Sequence, residues 1–120
     1  MLQPILWLVL AAVHALPALA FFRPAGLTAL YGLKPDNPLF LLMHHRAGLF
    51  VAVVAACLFA AFVPEGRRLA VIVVGISMVS FLVLYYQAGA PAPLRRIALV
   101  DLAGLPVLAL AAWLAYRPAG

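Results

Sequence analysis

Four apolar runs dominate this chain, over residues 4–22, 39–63, 69–87 and 97–116, and the connections between them are short. Crossing the roughly 30 Å hydrocarbon layer of a bilayer takes about 20 mostly apolar residues in a helix. In lipid, backbone N–H and C=O groups must be satisfied inside the segment, so each run is predicted to be a helix. Composition closes off a soluble alternative. The 120 residues are 68% hydrophobic and 9% charged, and a soluble fold this small has too much surface to leave so apolar. Short connections make successive spans antiparallel. The expectation is an all-α, integral membrane, antiparallel four-helix bundle forming a single transmembrane domain over residues 1–120.

Pro4 opens the first run where a missing N–H is harmless, and Pro17 inside it predicts a kink. Ala18-Leu19-Ala20 has the small-residue look of a secretory cleavage site. The segment before it carries no Lys or Arg, so the basic start of a signal peptide is missing and the span is expected to be retained. Residues 23–38 form the longest polar connection, and a short interfacial helix fits over Ala25–Tyr31 before a turn at Pro35–Pro38. Pro64-Glu65-Gly66-Arg67-Arg68 is a tight basic turn. Residues 88–96 return the chain to the side of the first loop. Tyr85, Tyr86, Trp113 and Tyr116 sit at span ends, where amphipathic rings favour the interface.

The formal charge is +5, with most of the eight basic residues placed singly or in pairs at the ends of the runs. That pattern suits headgroup anchoring and lacks the concentrated basic footprint that nucleic acid requires. Positive-inside counting favours the loops 23–38 and 88–96 on the cytoplasmic side by a small margin. Cys57, the single cysteine, lies within an apolar run and reads as a small hydrophobe.

Ionisable side chains inside a span are expensive and point to function. Measured from the side of the two long loops, His44 lies about 7 Å deep, Arg46 and Ser80 about 10 Å, Asp101 about 6 Å and His14 about 12 Å. Tyr85, Tyr86 and Gln87 belong to the same face. Every span therefore places polar groups in one half of the membrane, which predicts a polar pocket opening toward loop 23–38. His14, His44, His45, Arg46, Ser80, Tyr85, Tyr86, Gln87 and Asp101 are its candidate ligand-binding residues. Arg46 and Asp101, opposite in sign and similar in depth, are expected to pair. His44 and His45 diverge by about 100° on a helix, and their spacing with His14 is no metal motif. No metal or cofactor is predicted, no catalytic residue is assigned, and no soluble-enzyme motif occurs.

Tyr31-Gly32 in the first loop, His45-Arg46-Ala47-Gly48-Leu49-Phe50 opening span two, and Arg96 ahead of Asp101 in span four carry a resemblance. The chain resembles a small bacterial four-span group, broadly DoxX-like in layout, whose members are often labelled phosphopantetheine adenylyltransferase. The soluble enzyme of that name uses an H-x-G-H motif on a nucleotidyl-transferase fold. Here His44 and His45 are adjacent and no H-x-G-H occurs, so the resemblance implies a membrane protein of unassigned function.

The expected role is binding of a lipid-like or small polar or anionic ligand, or of a partner helix, through the polar half. A membrane-embedded enzyme or redox accessory acting on a lipid-like substrate is one alternative, and a proton-coupled transporter or small oligomeric channel is another. The expected surroundings are a cell inner membrane, with membrane lipid and either a second copy or a partner membrane protein, but no nucleic acid, as partners.

Overall fold

A computed structural model describes residues 2–117; residues 1 and 118–120 lie outside the description. The described chain is all-helical. Helices α1 (Leu2–Phe22), α3 (Pro38–Phe62), α4 (Arg67–Gln87) and α5 (Arg95–Tyr116) are the long ones, and α2 (Ala25–Tyr31) is a short helix in the first loop. Among the described residues, four helical stretches are long and apolar enough to cross a membrane. Short 3-10 turns at Pro64–Gly66 and Ala92–Leu94 join α3 to α4 and lead into α5.

Local chemistry explains the boundaries. Asn37 caps α3, its side chain accepting from the Leu39 N–H at 2.9 Å, and Pro38 follows at the first helical position. Gly32 ends α2 in the left-handed region (φ 72°), its N–H returning to the Thr28 carbonyl. After α4, Gly89 takes φ 86° and Ala90 φ 53°. Gly89 N–H bonds to Tyr86 O and Ala90 N–H to Tyr85 O, the paired bonds of a Schellman stop. Helix α1 runs through Pro17 as one element.

Around the bundle the order is α1, α3, α4, α5, closing back on α1, with α1 against α3 the most extensive packing. Helices α3 and α5 thus sit across a diagonal. The main core is built from Trp7, Leu10, Cys57, Val74, Met78 and many alanines. Small residues let the backbones approach, as apolar lipid leaves helix association to packing.

At the end away from α2, two arginines satisfy carbonyls that helix C-termini leave open. Arg67 donates to Ala60 O at 2.7 Å and Ala61 O at 3.2 Å. Arg68 donates to Ala115 O at 3.1 Å, and the Tyr116 hydroxyl donates back to Arg68 O. The basic turn is therefore a clamp that holds α3 and α5 to the start of α4. This end is not devoid of buried polar atoms, contrary to the segregation expected from sequence. Gln3 Oε1 and Trp7 Nε1 are both buried there without partners.

Candidate functional site

Arg46 stands on α3 roughly two turns below its start and is half-buried. Its Nη1 donates to the Tyr31 hydroxyl, on α2, at 3.1 Å. Its guanidinium lies 4.5 Å from the centre of the Phe50 ring, one turn along α3, and 5.6 Å from that of Phe81 on α4. A desolvated cation between two rings gains about 2 kcal/mol from such contacts.

The expected Arg46–Asp101 ion pair is not formed. Equal depth does not bring two side chains together when their helices lie across a diagonal, and α3 and α5 do. Phe50 borders both the space at Arg46 and the space at Asp101, so an aromatic wall stands where the salt bridge was expected.

A cleft of about 240 Å³ opens between α3 and α4, lined by Arg46, Phe50, Ser77, Ser80, Phe81 and Leu84 among others. Its rim residues Leu49 and Leu84 are 56% and 63% exposed, so the cleft faces the lipid sideways. The Ser80 hydroxyl donates to the Ser77 carbonyl at 3.3 Å, a long bond within its own helix that a better acceptor can replace.

Across Phe50, between α1, α2 and α5, lies a second cavity of about 90 Å³, bordered by Val13, Pro17, Leu30, Phe50, Arg96 and Asp101 among others. Asp101 is only 7% exposed, and none of the side-chain hydrogen bonds among the described residues reaches it. His14, 1% exposed, lies behind Phe50 with ring centres 5.9 Å apart. Its Nδ1 sits 2.8 Å from the Leu10 carbonyl. A carbonyl only accepts, so that bond puts a proton on Nδ1. Nε2 is buried without a partner.

The remaining candidates lie elsewhere. His44 Nε2 donates to the Phe21 carbonyl at 2.9 Å, and its ring rests against Phe21 and Phe40. It ties α3 to the end of α1. His45 is exposed on the outer face of α3. Tyr85 is buried against Phe81, while Tyr86 and Gln87 are exposed at the end of α4. Among the described residues, no three His, Cys, Asp or Glu side chains come together where they could hold a metal ion.

The structure thus gathers Arg46 and Ser80 in one cleft, with Asp101 and His14 across the Phe50 wall. Tyr31, Phe50, Ser77 and Phe81 are site residues that the sequence reading passed over. The signal for Phe50 was its position one turn from Arg46, where helical side chains meet. Tyr31 stood out only in the Tyr31-Gly32 string of the resemblance, since it is the return of α2 over the bundle that brings it to Arg46.

A double-mutant cycle in mild detergent separates the two pairings. Arg46→Met with Tyr31→Phe is expected to show coupling of about 1 kcal/mol. Arg46→Met with Asp101→Leu is expected to come closer to additive. Stronger coupling in the second cycle than in the first would contradict the observed arrangement.

No protein-family model, curated protein or solved structure matches this chain. Fold and composition together establish a small, all-helical, multi-span membrane protein.

Proposed function

We propose that this protein binds the acidic headgroup of an amphiphile in the α3–α4 cleft, with the ligand's apolar chain lying along the lipid-facing rim. The observation that supports this most directly is Arg46. Its guanidinium is fixed by Tyr31, Phe50 and Phe81 at the floor of a cleft open to lipid, and among the described residues no carboxylate forms an ion pair with it or lines that cleft. One hydrogen bond to Tyr31 leaves further N–H donors for a phosphate or carboxylate, the groups that guanidinium geometry matches. Ser77 and Ser80 offer polar contacts on the opposite wall.

The reading extends to setting. We propose a bacterial inner membrane for the chain, with α2 and the loop 88–96 on the cytoplasmic side. The resemblance to the small DoxX-like four-span group belongs to the same proposal. Its short strings contain Tyr31, Arg46 and Phe50, which are the latch, the cation and the ring of the cleft. A second copy or a partner helix is the competing occupant.

Dodecyl phosphate and dodecanoate, titrated into protein in a nonionic detergent, test the proposal by calorimetry. Both are expected to bind saturably, and Arg46→Gln is expected to weaken each at least tenfold, about 1.4 kcal/mol. Undiminished binding by Arg46→Gln would refute it, as would saturable binding of dodecyltrimethylammonium in place of the acids.

A further inference from the structure

The cavity across Phe50 differs from the Arg46 cleft in both its chemistry and its walls. Its lining is apolar, from Val13, Pro17, Leu30 and Phe50, apart from Asp101 and the Arg96 side chain. Beside the Arg96 donors, acceptors without a donor gather around it. The Asp101 carboxylate is nine-tenths buried and borders the cavity, with no hydrogen-bond donor supplied by the described residues. Pro17 has no N–H, so the helical bond that would fall on the Val13 carbonyl is missing, and Val13 and Pro17 both line the cavity. His14, one residue from Val13, adds the unpartnered Nε2 behind them.

We infer that this cavity is a second ligand site, taking the hydroxyl end of a neutral amphiphile, whose O–H donates to Asp101. The inference goes beyond the reading of the Arg46 cleft and does not depend on it. A buried acceptor without a donor is costly in lipid, and an O–H donor to a carboxylate gives a short, charge-assisted bond.

Charge selects among donors. Arg96 lines the cavity together with Asp101. The Arg96 guanidinium already offsets the single carboxylate, so a cationic amine gains little there. An acid would meet the Asp101 carboxylate directly. A neutral hydroxyl avoids both conflicts. A volume near 90 Å³ holds a headgroup rather than a whole lipid. The chain of the ligand would run outward past Leu16 and Val100, both of which line the cavity and are well exposed.

Methyl NMR of the full chain in nonionic micelles tests this, with 1-dodecanol, dodecylamine and dodecanoate as probes. The Leu30 and Val100 methyls report on this cavity, while Leu49 and Leu84 report on the Arg46 cleft, so the two readings fail separately. Dodecanol is expected to shift Leu30 and Val100 saturably, at concentrations at least tenfold lower than either other probe requires. Asp101→Leu is expected to weaken that binding at least tenfold. Should Asp101→Leu fail to fold, Val100→Phe decides the matter. It narrows the mouth from an exposed position, and the same loss is expected, followed at Leu30. Unchanged dodecanol shifts in the folded variant would overturn the inference, as would preferential binding of dodecylamine or dodecanoate at Leu30.

Discussion

Trp7→Ala is expected to destabilise the bundle by about 3–5 kcal/mol, the usual range for deleting a fully buried tryptophan. Trp7 has no exposed surface and belongs to the core cluster shared with α3, α4 and α5. Small side chains, among them Cys57, Ala60, Ala61 and Ala111, make up much of that cluster. Those side chains are too short to move into the space left behind, and the close approach of α1 to α3 rests on filling it. In a bilayer the loss is chiefly of packing contacts, since lipid is as apolar as the core. Trp7→Phe is the control. It keeps most of the ring contacts and removes an indole N–H that is buried without a partner, so it is expected to cost less than about 1.5 kcal/mol. Reversible unfolding in mixed micelles measures both. Equal losses for Ala and Phe would mean that the N–H, and not the volume, matters at this position.

Gly104→Val is expected to cost about 2–3 kcal/mol by overpacking. A Cβ at Gly104 would come within 2.8 Å of Met78 Cε on α4 and 3.6 Å of both Val13 methyls on α1. Met78 is fully buried, so its flexible end can move only by repacking among core neighbours, while the added methyls also press on Val13. The branched side chain would force α5 away from α1 and α4 together. Gly75→Val, whose Cβ would meet only Leu108 at an ordinary 3.9 Å, is expected to be milder. The same unfolding assay ranks the two, and a Gly75 variant less stable than the Gly104 variant would contradict the packing described.

The helices were legible for a physical reason. A segment in lipid must be apolar along its length and must satisfy its own backbone, so the runs starting at 4, 39, 69 and 97 are helices that start at Leu2, Pro38, Arg67 and Arg95. Pro24 and Gly32 bracket α2 in the same plain way. Position along each helix was legible too, because helical rise converts residue count into distance. Azimuth was not. A helix apolar on every side has no polar face to show which way it turns, so depth alone paired Arg46 with Asp101 across a diagonal. The same blindness affects His44 and His45. One bonds to Phe21 and the other faces out, and nothing in an adjacent pair tells which. Asn37-Pro38, read as a turn, is also the cap that starts α3.

The claim that Arg46 makes the α3–α4 cleft a binding site is tested most directly by where an acidic amphiphile lies. A dodecyl phosphate analogue with a diazirine in its chain, photolysed with the protein in nonionic micelles and mapped by mass spectrometry, gives that location. Labelling is predicted at Leu49, Ser77, Ser80, Phe81 or Leu84, suppressed by excess dodecyl phosphate and lost in Arg46→Gln. Labels spread over the outer faces of the bundle, at residues such as Leu69, Ile76 and Leu102, and indifferent to both competitor and substitution, would contradict it.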